Sequence, residues 1–396
     1  MECKNYSIGE PISLGPNKLN KPNRPNKPYP WTAMNFDSIL SHGRYYFKRV
    51  LQEVELRTGT PLSMPSEVWL KLTERCNCRC QMCDIWKNNI HAEGELSTQD
   101  WKNVLLGFRK WLGKKHIWFT GGEPFLRKDC IELISYGSSL GLSIGVITNG
   151  ILLDSSRISQ LMESGLKEFH VSIDSMRAEI HDHLRGITGA HERATQNVLA
   201  LKDRLEKTRG KIKIVIKTIM MGLNRKEIIP LVEWVDKNEF DEIKFQPLES
   251  NLEAGDDPFW FNTSPFWPKG GEIEELAKTI EQLIERKQAG TRIYNSTFEL
   301  NQIKDYFQNP VRYYEQAKDH RLSSNKKGLK CKNGLGWMEI LSRGGLRMCR
   351  YMPPQGDIRM GTVRNFWRNR PKCWRYPENS CFKNRGINPT TYDGRS

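Results

Sequence analysis

The feature that most narrows the fold is a repeated change of hydrophobic period between residues 68 and 248. Short runs rich in β-branched and aromatic residues occur at 68–73, 116–120, 143–148, 168–173, 213–220 and 242–246. Amphipathic stretches such as 98–112, 130–140 and 156–164 lie between them and read as helices. Strands spaced by helices of this length predict parallel βαβ units. Six units predict an α/β architecture, a curved and incomplete (β/α)6 barrel. In parallel α/β folds the chemistry gathers at the C-terminal ends of the strands. The conspicuous motifs of this chain fall just past those ends.

The first strand runs directly into Cys76-Asn-Cys78-Arg-Cys80-Gln-Met-Cys83. Residues 1–19 lack a basic start followed by an apolar stretch, and no run of about 18 apolar residues occurs. No secretory signal or membrane span is therefore expected, and the predicted compartment is the cytoplasm. Disulfides rarely persist there, so clustered cysteines point to metal or catalysis. Thiolates select zinc or an iron–sulfur cluster. Structural zinc usually takes four ligands from two C-x2-C knuckles. The C-x3-C-x2-C triplet of Cys76, Cys80 and Cys83 instead suits a [4Fe–4S] cluster with one iron left without a protein ligand. Such an iron is able to chelate the amino and carboxylate groups of S-adenosylmethionine (SAM). Cys78 does not fit the spacing and is read as a spectator or a neighbour of the ligands.

Gly121-Gly122-Glu123-Pro124 ends the second strand, Thr148-Asn149 the third, and Ser172-Ile173-Asp174 the fourth; Arg185 follows in His-Leu-Arg-Gly. With the cysteine loop, these segments stand in an order and spacing that resemble the radical SAM enzymes. The resemblance covers roughly residues 65–250. It implies that Gly121, Gly122, Glu123 and Pro124 bind the methionine amino group. It implies ribose contacts from Thr148, Asn149, Ser172 and Asp174, and a carboxylate contact from Arg185. It further implies reductive cleavage of SAM to a 5′-deoxyadenosyl radical, which takes hydrogen from an unactivated C–H bond. Met82 stands where that family often has an aromatic residue near the adenine, and a polarizable thioether can pack there.

Four more cysteines lie near the C-terminus. Cys331 and Cys349 bracket a segment that reads as a hairpin turning at Gly344-Gly345, and Cys373 and Cys381 follow. The layout resembles the auxiliary-cluster extension called SPASM in its long form and twitch in its short one. Four thiolates predict one fully ligated auxiliary [4Fe–4S] cluster serving electron transfer. Four cysteines in a knot with zinc are the simpler alternative.

The domain boundaries expected are a partly mobile N-terminal arm and lead-in (1–60), the core barrel (61–250), a linker with helices (251–328), and the cysteine-rich domain (329–390). The Pro-, Gly- and aromatic-rich stretch 251–271 breaks the strand–helix alternation and is read as a linker. Charge is uneven: residues 321–396 hold 17 Lys/Arg against 4 Asp/Glu, residues 1–30 hold 5 against 2, and the whole chain is +15. The central barrel is therefore near neutral. A polyanionic partner is one reading of the basic end, and charge balance around a thiolate-rich cluster is the other. The resulting expectation is an oxidoreductase or transferase that oxidises, cross-links or rearranges a peptide, protein or sugar-type substrate, fed by flavodoxin or ferredoxin. A radical enzyme acting on tRNA, or a zinc-stabilised nucleic-acid-binding protein without turnover, are the alternatives.

Overall fold

In the computed structural model, the residues described are 47–48, 50–55, 57–88, 92–249, 259–310, 333–348 and 353–370. All of them fall within one unit of the chain. Six strands form the parallel part of the sheet: β1 (Glu67–Thr73), β2 (His116–Gly121), β3 (Ser143–Thr148), β4 (Glu168–Ser172), β5 (Lys213–Met220) and β6 (Glu242–Pro247). The crossovers are α1 (Thr98–Leu112), α2 (Cys130–Ser139), α3 (Ser155–Glu163), the pair α4 (Ala178–Arg185) and α5 (Ala190–Thr208), and α6 (Ile228–Lys237). The expected βαβ repeat is what the chain adopts. The sheet is open, with strand order β6-β5-β4-β3-β2-β1 and then three further strands.

Those three strands are β7 (Trp337–Ile340), β8 (Gly345–Arg347) and β9 (Gly356–Asp357). The hairpin expected around Gly344-Gly345 is present, since β7 and β8 pair antiparallel through Glu339↔Arg347 and Ile340↔Leu346. β7 also pairs parallel with β1, Trp69 opposite Glu339. The segment just before Cys349 is thus part of the main sheet. Cys331, Cys349, Cys373 and Cys381 themselves lie outside the described residues.

Strand periodicity fixes which side chains face which layer. Val68, Leu70 and Leu72 of β1, Ile117 and Phe119 of β2, and Phe169 and Val171 of β4 are buried against the helices. The opposite, concave face carries Trp69 and Lys71, His116 and Trp118, His170 and Ser172, Lys217, and Lys244 and Gln246. Trp69 and Trp118 stack across β1 and β2 with centroids 5.7 Å apart. The concave face is therefore polar and aromatic, which suits a binding surface.

The helices start where their caps dictate. Ser97 Oγ accepts from Asp100 N and Asp100 Oδ2 accepts from Ser97 N, a capping box that opens α1. Trp101, Val104, Leu105 and Phe108 then recur at helical spacing and are buried. Between β6 and β7 lie two long helices, α7 (Gly271–Gln288) and α8 (Thr297–Gln308). The stretch expected as a linker packs aromatic side chains into the core over its described part, 259–271. Trp260, Phe261 and Trp267 are at most 9 % exposed, and Trp267 packs 5.3 Å from Tyr306 and 5.0 Å from Phe307 of α8. Aromatic burial outweighs the prolines and glycines around it. No helix among the described residues is long and apolar enough to cross a membrane.

Candidate active site

The cysteine loop leaves the C-terminal end of β1 and is held by backbone bonds on two sides. Arg79 N donates to Arg185 O at 2.9 Å, and Gln81 N to Leu184 O at 2.9 Å, fastening the loop to the end of α4. Arg79 Nη1 donates to the carbonyls of Cys76 and Cys78, and Trp86 Nε1 to that of Cys80. On the other side Gly122 N donates to Thr73 O and Glu123 N to Arg75 O, both at 2.8 Å. This contact requires glycine. A Cβ on Gly121 would lie 2.1 Å from Thr73 O, and one on Gly122 2.2 Å from Arg75 O. Gly121 also has φ +146°, a conformation that side chains rarely adopt.

A cavity of about 540 Å³ opens between these loops at the C-terminal ends of the strands. Cys76, Cys80 and Cys83 line it together with Gly121, Gly122, Thr148, Asn149, Ser172 and Arg185. Nine of the residues expected from sequence thus meet on one wall system. Glu123, Pro124 and Asp174 do not line it; they are buried behind it. Glu123 Oε1 accepts from Thr148 Oγ1 at 2.8 Å and Phe125 N at 3.1 Å, and its Oε2 from Asn149 N at 2.8 Å. It therefore ties the Gly-Gly loop to the end of β3. Burial raises its carboxyl pKa, and the three donors oppose that rise. Asp174 is fully buried, with Oδ1 accepting from Ile219 N and Oδ2 2.5 Å from Arg185 Nη2.

A buried ion network braces the foot of the cysteine loop. Arg127, three residues past Pro124, donates to Leu72 O, Leu96 O, Glu95 and twice to Asp129. Glu95 in turn takes Thr73 Oγ1 at 2.5 Å and Arg75 Nη2 at 3.5 Å.

The five described cysteines are free thiols. Cys80 is lowered to about 6, chiefly by hydrogen bonding from Cys78 and then by the Arg185 charge, against the opposing effect of burial. Hydrogen bonding from Cys78 also lowers Cys76. Burial pushes Cys83 up to about 11. Cys78 is raised by its bonds to Cys76 and Cys80.

The donor set suits a cluster and its sulfonium cosubstrate. Three thiols in one loop face a cavity large enough for a small ligand. Arg185 Nε is a buried donor with no hydrogen-bond partner among the described residues, and such a group expects an acceptor. The residues fit. Lys71, Glu74, Lys217, Gln246 and Arg347 also line the cavity and were not singled out from sequence. Their signal was present, since Lys71, Lys217 and Gln246 are polar residues at every second position of otherwise apolar strands.

Comparison with known proteins defines the class. Residues 70–235 match the Radical SAM superfamily, so the chain carries a Radical SAM domain; a domain of that family implies SAM and a [4Fe–4S] cluster. Among its relatives, the PqqA peptide cyclase of Rhodopseudomonas palustris is 35% identical over 32% of this chain and 34% of its own length. Other curated relatives are likewise matched over about a third of their length. An AdoMet-dependent heme synthase of Methanosarcina barkeri is 27% identical over 77% of this chain and 82% of its own. In fold, the chain is similar to SuiB of Streptococcus suis, solved with S-adenosylmethionine, at a TM-score of 0.55 and 16% identity over 85% of this chain and 70% of SuiB.

Proposed function

We propose that Cys76, Cys80 and Cys83 hold a [4Fe–4S] cluster whose fourth iron takes SAM, and that the enzyme modifies a peptide or protein. The observation that carries this reading is the shared cavity, in which three thiols face Gly121, Gly122, Thr148, Asn149, Ser172 and Arg185. When bound, the cluster supplies the electron that splits SAM into methionine and a 5′-deoxyadenosyl radical able to take hydrogen from a C–H bond. The chain's own groups do the rest. The Gly121-Gly122 backbone lies open for the amino group of the cosubstrate. Thr148 and Asn149, set in place by Glu123, and Ser172 offer hydrogen bonds to a ribose. Arg185 Nε offers a donor to a carboxylate.

Peptide modification is favoured by the relatives. PqqA peptide cyclase is named for a peptide, and SuiB has been solved with the precursor peptide SuiA. The heme synthase relative favours a tetrapyrrole as the second reading. Cys331, Cys349, Cys373 and Cys381 are proposed to hold an auxiliary [4Fe–4S] cluster that passes electrons, with flavodoxin or ferredoxin as donor.

The test is product analysis. Reduced protein, reconstituted without oxygen, is expected to release 5′-deoxyadenosine from SAM, and the Cys76→Ala/Cys80→Ala/Cys83→Ala variant is not. No product from the wild type, or equal product from both, refutes the assignment. Deuterium passing from labelled peptide, and not from labelled porphyrin, into that product is expected for the substrate class.

A further inference from the structure

Arg185 closes α4 with its guanidinium buried between two sulfur- and oxygen-bearing partners. Nη2 lies 2.5 Å from Asp174 Oδ2, and Nη1 lies 3.9 Å from Cys80 Sγ. Asp174 is itself held by three hydrogen bonds. Its Oδ1 accepts from Ile219 N at 3.0 Å, its carbonyl from Asn224 Nδ2 at 2.8 Å, and its N donates to His181 Nδ1 at 3.1 Å. Independently, Arg79 N and Gln81 N bind the cysteine loop to the carbonyls of Arg185 and Leu184. The guanidinium and the Cys80 sulfur are therefore held at one separation by two sets of restraints.

We propose that Arg185, anchored by Asp174, is a positioning residue for the SAM-binding cluster: through an N–H···S contact to Cys80 it makes that cluster easier to reduce. The proposal rests on Cys80 being a cluster ligand. Reduction adds one electron from an external donor such as flavodoxin and makes the thiolate-bound centre more negative by one unit. A fixed cation beside one sulfur stabilises the more negative state, and it does so strongly where water is excluded. Hydrogen bonds to cluster sulfurs and net charge are established levers on iron–sulfur potentials.

The test is an EPR-monitored potentiometric titration of the full-length holoenzyme in the absence of SAM. Arg185→Met is expected to lower the midpoint potential by at least a tenfold change in the reduction equilibrium, about 59 mV for one electron. Arg185→Lys, which keeps a cation, is expected to shift it less. Arg185→Met leaves Asp174 buried and unpaired, so Asp174→Asn/Arg185→Met is measured beside it to remove both charges together. The Cys76→Ala/Cys80→Ala/Cys83→Ala protein supplies the signal of any other cluster for subtraction. An unchanged midpoint in the variants that retain the cluster overturns the proposal, including the case where only SAM affinity falls. Absence of any signal dependent on Cys76, Cys80 and Cys83 in the wild type overturns the ligand assignment beneath it, a separate and recognisable result.

Discussion

Glu123→Gln tests the brace behind the cavity with little change in shape. The carboxylate accepts three hydrogen bonds, from Thr148 Oγ1, Asn149 N and Phe125 N, and is fully buried. A glutamine must place its NH2 at one of the two oxygen positions. At Oε2 it faces the N–H of Asn149; at Oε1 it faces the N–H of Phe125. Either flip sets two donors against each other. The loss comprises a hydrogen bond to a charged acceptor, about 1.5–3 kcal/mol, and an unsatisfied buried N–H, about 1–3 kcal/mol. The two overlap, so a total of roughly 2–4 kcal/mol is expected, or ~30- to ~700-fold in the unfolding equilibrium. Urea titration of wild type and variant in the same anaerobic buffer, followed by tryptophan fluorescence, reads this as a lower midpoint at similar slope. A loss below about 0.5 kcal/mol, the ordinary scatter of surface substitutions, would refute the reasoning that Glu123 couples the Gly-Gly loop to β3.

Gly122→Ala places a Cβ 2.2 Å from Arg75 O and should lever the Gly-Gly loop off the cysteine loop. Iron retained per chain after reconstitution and gel filtration is expected to fall, and retention equal to wild type would contradict it. Arg127→Met removes the cation shared by Glu95 and Asp129, leaves Glu95 only Thr73 and Arg75 and Asp129 only Thr98, and is expected to cost about 1–3 kcal/mol. Adding Glu95→Gln should recover part of that loss in the same urea titration. His170 is held at about 4, below its ordinary 6.5, because burial disfavours the charged ring. Its contribution to stability is therefore present above pH ~6.5 and lost as pH falls towards ~4, by up to ~3 kcal/mol. His170→Phe should flatten the stability profile within that window, and an unaltered profile there would count against the assignment.

Much of the barrel was legible in the sequence because its determinants are local. The period-two runs and the amphipathic stretch 98–112 are read within a few residues, and α1 falls at 98–112 as expected. The cavity residues were legible as a group because parallel strands bring their C-terminal ends together. What escaped depends on long-range packing. Glu123 and Asp174 sit beside cavity residues in the chain, yet only the tertiary fold decides that they face away from it. The pairing of β7 with β1 joins Ile340 to Leu70 across 270 positions, and no local pattern announces it. The 259–271 segment misled because its prolines and glycines speak for a linker while Trp260 and Trp267 are core.

The central claim is that three thiolates of one loop leave an iron free for SAM. The most direct measurement is electron–nuclear double resonance on the reduced holoenzyme with SAM carrying 15N in its amino group and 17O in its carboxylate. The account predicts hyperfine coupling from both labels to a cluster that disappears in the Cys76→Ala/Cys80→Ala/Cys83→Ala variant. A protein that contains zinc without sulfide, or a cluster that shows no coupling to either label, would contradict it.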